Sequence, residues 1–409
     1  MHSQLKLSNA GLATLLAALS MLGPFSIDAY LPAFASIQTS LHASSIEVQQ
    51  TLTAYMLSFA AMTLWHGALS DSFGRRNVVL VALVVFAIGS LGCASAHTVH
   101  YLWVFRIMQG VAAGAGMVIG RAIVRDLYEG APAERLLSLV TMIFSIAPAL
   151  APILGGWVVS HSDWRTIFLL LFAYTVLLLV ACYRYLPESL PLEKRQPFNM
   201  EFLWQSYRDV FKSPGFHFMA GTIACNFAGI FLFISSAPAF VTQHLKLDAQ
   251  SFGWQFVPMV GGIFLGSLAA NRLAGRLTIV RQVAIGFSFL LSAAVANVVF
   301  HFFAVPMLPW SVLPLFFYAF GMSVVFPGVT LMVLELFPHI RGIVASCQSA
   351  SVTLLSAFVA GVMAPALDHS VLSLACGQLA FALMALTLWY AGRVYARSIK
   401  EKLPRTSSS

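Results

Sequence analysis

The chain has 409 residues, 59% of them hydrophobic and 9% charged, with a mean hydropathy of +0.83 and a formal net charge of +8. Soluble globular domains carry roughly 25% charged residues, so this composition excludes a soluble fold and makes lipid the solvent. It also leaves no reading in which the basic excess serves a nucleic acid, because membrane topology accounts for it.

Apolar stretches of about 20 residues, enough to cross a hydrocarbon core of roughly 30 Å, recur along the whole sequence. They fall at 12–34, 46–66, 78–96, 101–120, 137–160, 164–186, 216–240, 252–271, 282–302, 309–336, 343–366 and 370–393. The pattern predicts an all-α integral membrane protein of twelve transmembrane helices in two six-helix halves. Residues 1–186 form the first half, 187–215 a cytoplasmic linker, and 216–409 the second half with a basic tail. If the spans alternate from a cytoplasmic N-terminus, twenty of the 23 Lys and Arg, from Lys6 to Arg405, lie on the inner side. Only Arg165 and Lys246 fall outside, and Arg106 falls within a span. That asymmetry supports cytoplasmic N and C termini. The first apolar run is too long for a signal peptide and has eleven successors.

The first span carries a carboxylate, Asp28, between Pro24 and Pro32, and is expected to bend there. Gln49, Gln50 and Tyr30 are the polar side chains nearest in depth. The second span ends in the short basic loop GALSDSFGRR (67–76), echoed after the eighth span by NRLAGRLTIVR (271–281). The fourth span contains Arg106 and continues as QGVAAGAGMVIGR (109–121), whose small residues let a neighbouring backbone come close. The fifth reads APALAPILGGW (147–157), with Pro148, Pro152, Gly155 and Gly156 forming either a hinge or a close-packing surface. In the linker, Phe198, Phe202, Leu203, Tyr207, Val210 and Phe211 outline an amphipathic helix, expected on the inner membrane surface.

Ionisable groups within spans are expensive and functional by default. Asp28 lies six residues from the outer end of its span, about 9 Å by helical rise, and Arg106 five residues from its own, about 7.5 Å. Their depths match, so they are expected to pair directly or through a polar neighbour. A structural ion pair, or a carboxylate that reaches outer water, would explain them more plainly. A purely structural pair is a poor source of stability, however. A carboxylate that alternates between a cation and a dry setting can carry a proton, so Asp28 is read as the proton acceptor and Arg106 as its regulator. The second half has no ionisable group at depth; Glu335 and His301 lie near span ends. The five cysteines are scattered singly and suit packing rather than metal or redox chemistry. No metal, catalytic residue or cofactor is expected, a GxxxxGK(S/T) loop is absent, and the energy source is taken to be the proton gradient. An enzyme or a sensor fits poorly, because no HExxH, GxSxG or large soluble domain is present.

The loop GALSDSFGRR resembles the signature G-x-L-x-D-(R/K)-x-G-(R/K)-(R/K) of the major facilitator superfamily, with Gly67, Asp71, Gly74, Arg75 and Arg76 in place and Ser72 departing from it. RIMQG (106–110) is similar to that family's R-x-x-Q-G, and APILGG (151–156) to its antiporter motif G-P-x-x-G-G, with Ala151 for the first glycine. The stretches IDAYLPAF (27–34), RAIVRDLY (121–128), SSAPAFVTQ (235–243) and FGWQFVP (252–258) resemble the Bcr/CflA subfamily of drug:proton antiporters. The resemblance implies proton-coupled multidrug efflux and antibiotic resistance in a bacterial inner membrane by a functional monomer, with small amphipathic substrates, protons and membrane lipid as partners. A proton-coupled carrier of a metabolite, a nucleoside or amino acid, is the alternative. It also implies a cytoplasmic gate of Gly67, Asp71, Gly74, Arg75, Arg76, Arg121, Arg125 and Asp126, with Asp71 meeting the helix that starts after Arg341. Candidate substrate-lining residues are Tyr30, Tyr55, Met56, Asn226, Phe231, Trp254, Met259 and Tyr318.

Overall fold

The computed structural model describes residues 7–402. Lys6, Arg405 and the end of the basic tail lie outside the described residues. Within them the chain is helical. In the first half, α1 (Asn9–Asp28) and α2 (Phe34–Leu41) are joined by a 3-10 turn over Leu31–Ala33, and α3 (Ser45–Phe73) and α4 (Arg75–Ala94) follow. Next come α5 (Val99–Ala113), α6 (Ala115–Leu127), α7 (Ala131–Phe144), α8 (Ala147–His161) and α9 (Arg165–Tyr185). The linker forms α10 (Met200–Lys212). The second half comprises α11 (Pro214–Ser235), α12 (Gly253–Leu273), α13 (Ile279–Phe303), α14 (Leu313–Glu335), α15 (Arg341–Phe358), α16 (Ala364–Leu367) and α17 (Val371–Lys402).

Local chemistry sets many of these boundaries. Ser44 caps α3 in a capping box, its Oγ accepting from the Glu47 N–H at 3.2 Å while its own N–H donates to Glu47 Oε2 at 2.8 Å. Thr98, Asn199, Ser213 and Thr278 cap α5, α10, α11 and α13 with side-chain oxygens. α1 stops at Asp28 because Pro32, four residues on, has no N–H to give the Asp28 carbonyl. The bend expected around Asp28 is thus a helix end. Span four is interrupted at Gly114 and span five at Ser145–Ile146, so each is built from two helices.

Eleven helical runs among the described residues are long and apolar enough to cross a membrane. The stretch read as the second span, 46–66, forms α3, which is 29 residues long but is not one of the eleven. Its polar side chains explain the difference: Gln49, Thr51, Thr63, His66 and Ser70 are buried against protein rather than lipid. α3 packs between α5 of its own half and α15 of the other, an interior position that lipid-facing hydropathy does not register.

The two halves close on each other at the end of the molecule where α1 stops. Gln49 Nε2 donates to the Ser235 carbonyl at 3.3 Å and Gln50 Nε2 to the Gly361 carbonyl at 2.9 Å. Gly156 on α8 lies against the backbone of Ala249 and Gln250. At the opposite end, near Asp71, a Cβ on Gly67 would meet nothing within 4 Å.

The linker helix does not simply rest on the membrane surface. Leu203, Ser206, Tyr207 and Val210 are buried against protein, while Phe202 and Phe211 of the expected apolar face remain exposed. The Tyr207 hydroxyl donates to the Leu64 carbonyl of α3 at 2.5 Å, and its ring meets Trp65 edge-on at 6.1 Å. α10 also touches α15, so it straps both halves. Burial pushes the Tyr207 phenol up to about 12, which keeps it a donor throughout the neutral range. Tyr207→Phe is expected to lower stability by about 1 kcal/mol, read as a lower thermal midpoint in detergent.

Candidate functional site

The site is centred on Arg106, which α5 carries into the interior of the first half with none of its surface exposed. Its Nη1 donates to the Ser26 carbonyl at 3.2 Å and to Gln109 Oε1 at 2.9 Å. Gln109, one turn along the same helix, is held by Nε2 donation to Ser90 Oγ at 2.8 Å. The guanidinium carbon lies 4.8 Å from the centroid of the Tyr30 ring and 4.3 Å from that of Tyr55. Two ring faces in a desolvated setting attract a cation by about 2 kcal/mol or more, which offsets part of the cost of burying the charge.

Each ring is fixed in turn. The Tyr30 hydroxyl pairs with Thr51 Oγ1 at 2.7 Å, and the Tyr55 hydroxyl donates to the Gly23 carbonyl at 3.1 Å while accepting from Ser26 Oγ at 2.9 Å. Tyr30 and Tyr55, expected to line a substrate site, are therefore committed to Arg106. Two of its nitrogens, Nε and Nη2, are buried without a partner.

Asp28 sits two residues beyond the Ser26 carbonyl that anchors Arg106. It is 6% exposed and makes neither a side-chain hydrogen bond nor an ion pair among the described residues. The expected contact with Arg106 is thus not formed in this conformation. Gln49 and Gln50, considered as bridges, instead reach backbone carbonyls of the other half. The arrangement holds a buried acid without a partner on α1 and, on α5, a fixed cation that retains free N–H groups and is anchored to the α1 backbone two residues away. A bare carboxylate in an apolar interior is costly.

α8 supplies the wall behind Asp28. A Cβ on Gly155 would overlap the backbone of Ala29, and one on Gly156 the Ala249 carbonyl across the half-to-half boundary. Of the two roles open for this motif, the structure places these two glycines in close packing. Pro152 is buried within α8, and Pro148 lies in its first turn.

The signature loop forms a charge network. Arg75 Nη1 pairs with Asp71, Arg75 Nε bonds Asp126 Oδ2 at 3.0 Å, and Nη1 donates to Ser70 Oγ at 2.6 Å. Gly74 has φ +93°, which favours glycine, and a Cβ there would strike Glu188 and Arg195. The Arg75 N–H donates to Glu188 Oε1 at 2.9 Å, Glu188 pairs with Arg195 at 3.4 Å, and Ser189 Oγ donates to Asp126 Oδ2 at 2.8 Å. Glu188, Ser189 and Arg195 are not among the expected gate residues; an acid directly after span six in a basic stretch is the signal the sequence offers for them. Asp71 bonds Arg75 of its own half rather than the start of α15. Arg121 and Arg125 are exposed and stand outside these ion pairs.

The second half presents uncharged groups. Asn226 Nδ2 donates to the Met322 carbonyl at 3.4 Å, and the Tyr318 hydroxyl to the Asn226 carbonyl at 3.3 Å, so both knit α11 to α14. Met56, Phe231 and Met259 are buried. Trp254 is 55% exposed on the outer surface of α12 and does not line an interior site, because it shares that outward face with Val257. His301 is buried with both ring nitrogens satisfied, by the Asn297 carbonyl at 2.9 Å and Ser311 Oγ at 3.1 Å.

The Major Facilitator Superfamily profile matches residues 15–361. The chain is 34% identical over 279 residues to the uncharacterized MFS-type transporter YdgK of Bacillus subtilis, covering 67% of this chain and 69% of that one. It is 30% identical to the bicyclomycin resistance protein homolog of Haemophilus influenzae, over 66% and 69% of the two chains. Identity to the multidrug resistance protein D of Escherichia coli is 28%, over 82% and 83%. Among solved structures, the D-xylose-proton symporter superimposes with a TM-score of 0.68 at 17% identity, over 92% and 96% of the chains. A bacterial homolog of the human lysosomal transporter Spinster gives 0.70 at 14%, over 97% and 99%.

Proposed function

Because the chain belongs to the Major Facilitator Superfamily, we propose that it exports small amphipathic compounds, drugs among them, by proton antiport through alternating access. It is a multi-pass transporter of the bacterial inner membrane rather than an enzyme. Its named relatives include bicyclomycin and multidrug resistance proteins, which favours drug efflux.

The observation that carries the coupling is the buried, unpaired Asp28 two residues from the Ser26 carbonyl that holds the tyrosine-sandwiched Arg106. In this reading α3 also crosses the membrane, completing twelve spans with both termini cytoplasmic. The end closed by Gln49, Gln50 and Gly156 then faces outward, and the Asp71 end faces the cytoplasm. Protonated Asp28 is compatible with the outer side closed. Loss of its proton toward the cytoplasm leaves a carboxylate that draws the free Arg106 N–H groups and rearranges α1 against α5. The Asp71–Arg75–Asp126 network is the cytoplasmic gate, and the proton gradient supplies the energy without a cofactor. The protein works as a monomer.

Inverted vesicles with an acid interior test this: a panel of amphipathic compounds is expected to elicit proton release. A complete lack of response across bicyclomycin, chloramphenicol and cationic dyes would overturn the antiport reading. Arg106→Lys keeps the charge but loses the planar surface that both tyrosines grip. Its drug-driven proton release is expected to fall about tenfold, the equivalent of about 1.4 kcal/mol, and that of Arg106→Gln further. Equal rates in all three proteins would show that Arg106 takes no part in coupling.

A further inference from the structure

The outer wall of the first half carries a groove of about 480 Å³ between α4 and α9, lined by Leu80, Leu179, Val180, Tyr183 and Arg184. It lies at the Asp71 end, where α4 begins and α9 finishes. Arg76 stands one helical turn before Leu80. Its Nη2 donates to the Tyr183 carbonyl at 2.6 Å, its guanidinium lies 5.4 Å from the Tyr183 ring centroid, and its Nε is buried without a partner. Arg184 is exposed at the same mouth.

The neighbouring acids are already engaged. Asp71 and Asp126 bind Arg75, and Glu188 binds Arg195 and the backbone of Arg75. Neither Arg76 nor Arg184 forms an ion pair among the described residues. The groove therefore couples an apolar floor to two uncompensated guanidinium groups at the end of the molecule that, in the orientation proposed above on which this inference rests, meets the cytoplasmic headgroups. A soluble anion would satisfy the arginines and leave the floor bare, whereas a zwitterionic lipid would bring its own cation to them.

We propose that this groove is a binding site for one anionic phospholipid, with an acyl chain along Leu80, Leu179 and Val180 and the phosphate held by Arg76 and Arg184. Guanidinium groups suit phosphate because they donate in a planar fork. Basic sites of this kind between membrane helices select acidic headgroups on the cytoplasmic side. Arg76 directly follows Arg75, so an occupant of the groove touches the same loop that holds the charge network.

The test uses the full chain in phosphatidylcholine vesicles containing a trace of phosphatidylglycerol with a photoreactive diazirine in its acyl chain. Adducts are mapped by peptide mass spectrometry, and a phosphatidylcholine analogue with the same acyl chain is the control. Adducts at residues 76–80 and 179–184 are expected to be about fivefold or more abundant with the anionic analogue, as charge-assisted bonds would give. The Arg76→Gln/Arg184→Gln double variant should fall to the phosphatidylcholine level. Val180→Trp changes an exposed position and leaves both arginines; by filling the floor it should lower the adducts equally. Monodisperse elution of each variant establishes folding. Equal labelling by the two lipids, or an undiminished anionic preference in the double variant, overturns the proposal. Displacement by excess inorganic phosphate combined with indifference to Val180→Trp also overturns it, in favour of a free-anion site.

Discussion

Replacing Asp28 by Asn is expected to reduce drug-driven proton release to the background of protein-free vesicles, with folded protein at wild-type abundance. The substitution keeps the shape of the side chain and removes its ability to bind and release a proton. Folding should survive, because Asp28 makes no hydrogen bond or ion pair in this conformation that Asn would have to replace. A neutral amide also spares the interior the cost of an uncompensated charge. Drug binding, followed by fluorescence quenching, should persist in the variant, since its neutral side chain resembles the protonated acid. Coupling would then be lost while binding is kept. A structural role gives the reverse pattern, with lower abundance and unaltered proton release per folded molecule. Normal coupling in folded Asp28→Asn would remove the residue on which the mechanism turns.

Asp28 and Arg106 were legible in the sequence because a charge inside an apolar run is unusual and each position had a depth. Their relation was not. Whether an acid and a cation at equal depth touch depends on which way each helix faces. Here the Ser26 carbonyl, Gln109 and the rings of Tyr30 and Tyr55 take the guanidinium. Those rings lie 76 and 51 positions from Arg106, and no local pattern links them to it. α3 was legible as a helix by its length, whereas its interior position explains a polar face that hydropathy alone penalises. The signature loop identifies Arg75 and Asp71, but Glu188 joins them from the far side of six helices, α4 to α9, through the turn that Gly74 makes at φ +93°. Trp254 shows the opposite error. An aromatic residue near a span end serves an interior pocket and a lipid boundary equally well by composition, and only its direction on α12 decides.

The glycine pair on α8 offers the second large effect, because the two neighbours face different bodies. Gly155 backs onto Ala29 of its own half, and Gly156 onto Ala249 of the other. Gly156→Leu should therefore act on the closure of the halves, whereas Gly155→Leu should act on the packing of α1 against α8. Forcing a side chain into a backbone contact costs about 1–3 kcal/mol, which shifts a two-state equilibrium by about fivefold to more than a hundredfold. Gly156→Leu is expected to populate the form open at the Asp28 end by that factor. Single cysteines replacing Gln50 and Thr242, labelled in whole cells with a membrane-impermeant maleimide, would report the opening. Proton-driven export should drop in parallel, since a carrier that cannot close its outer side cannot complete a cycle. Gly155→Leu is expected to lower folded abundance without raising outer labelling. If both substitutions merely reduce abundance, the Gly156 contact is packing alone. Higher outer labelling in Gly156→Leu, at normal abundance, would identify the carbonyl of Ala249 as the stop against which the outer side closes.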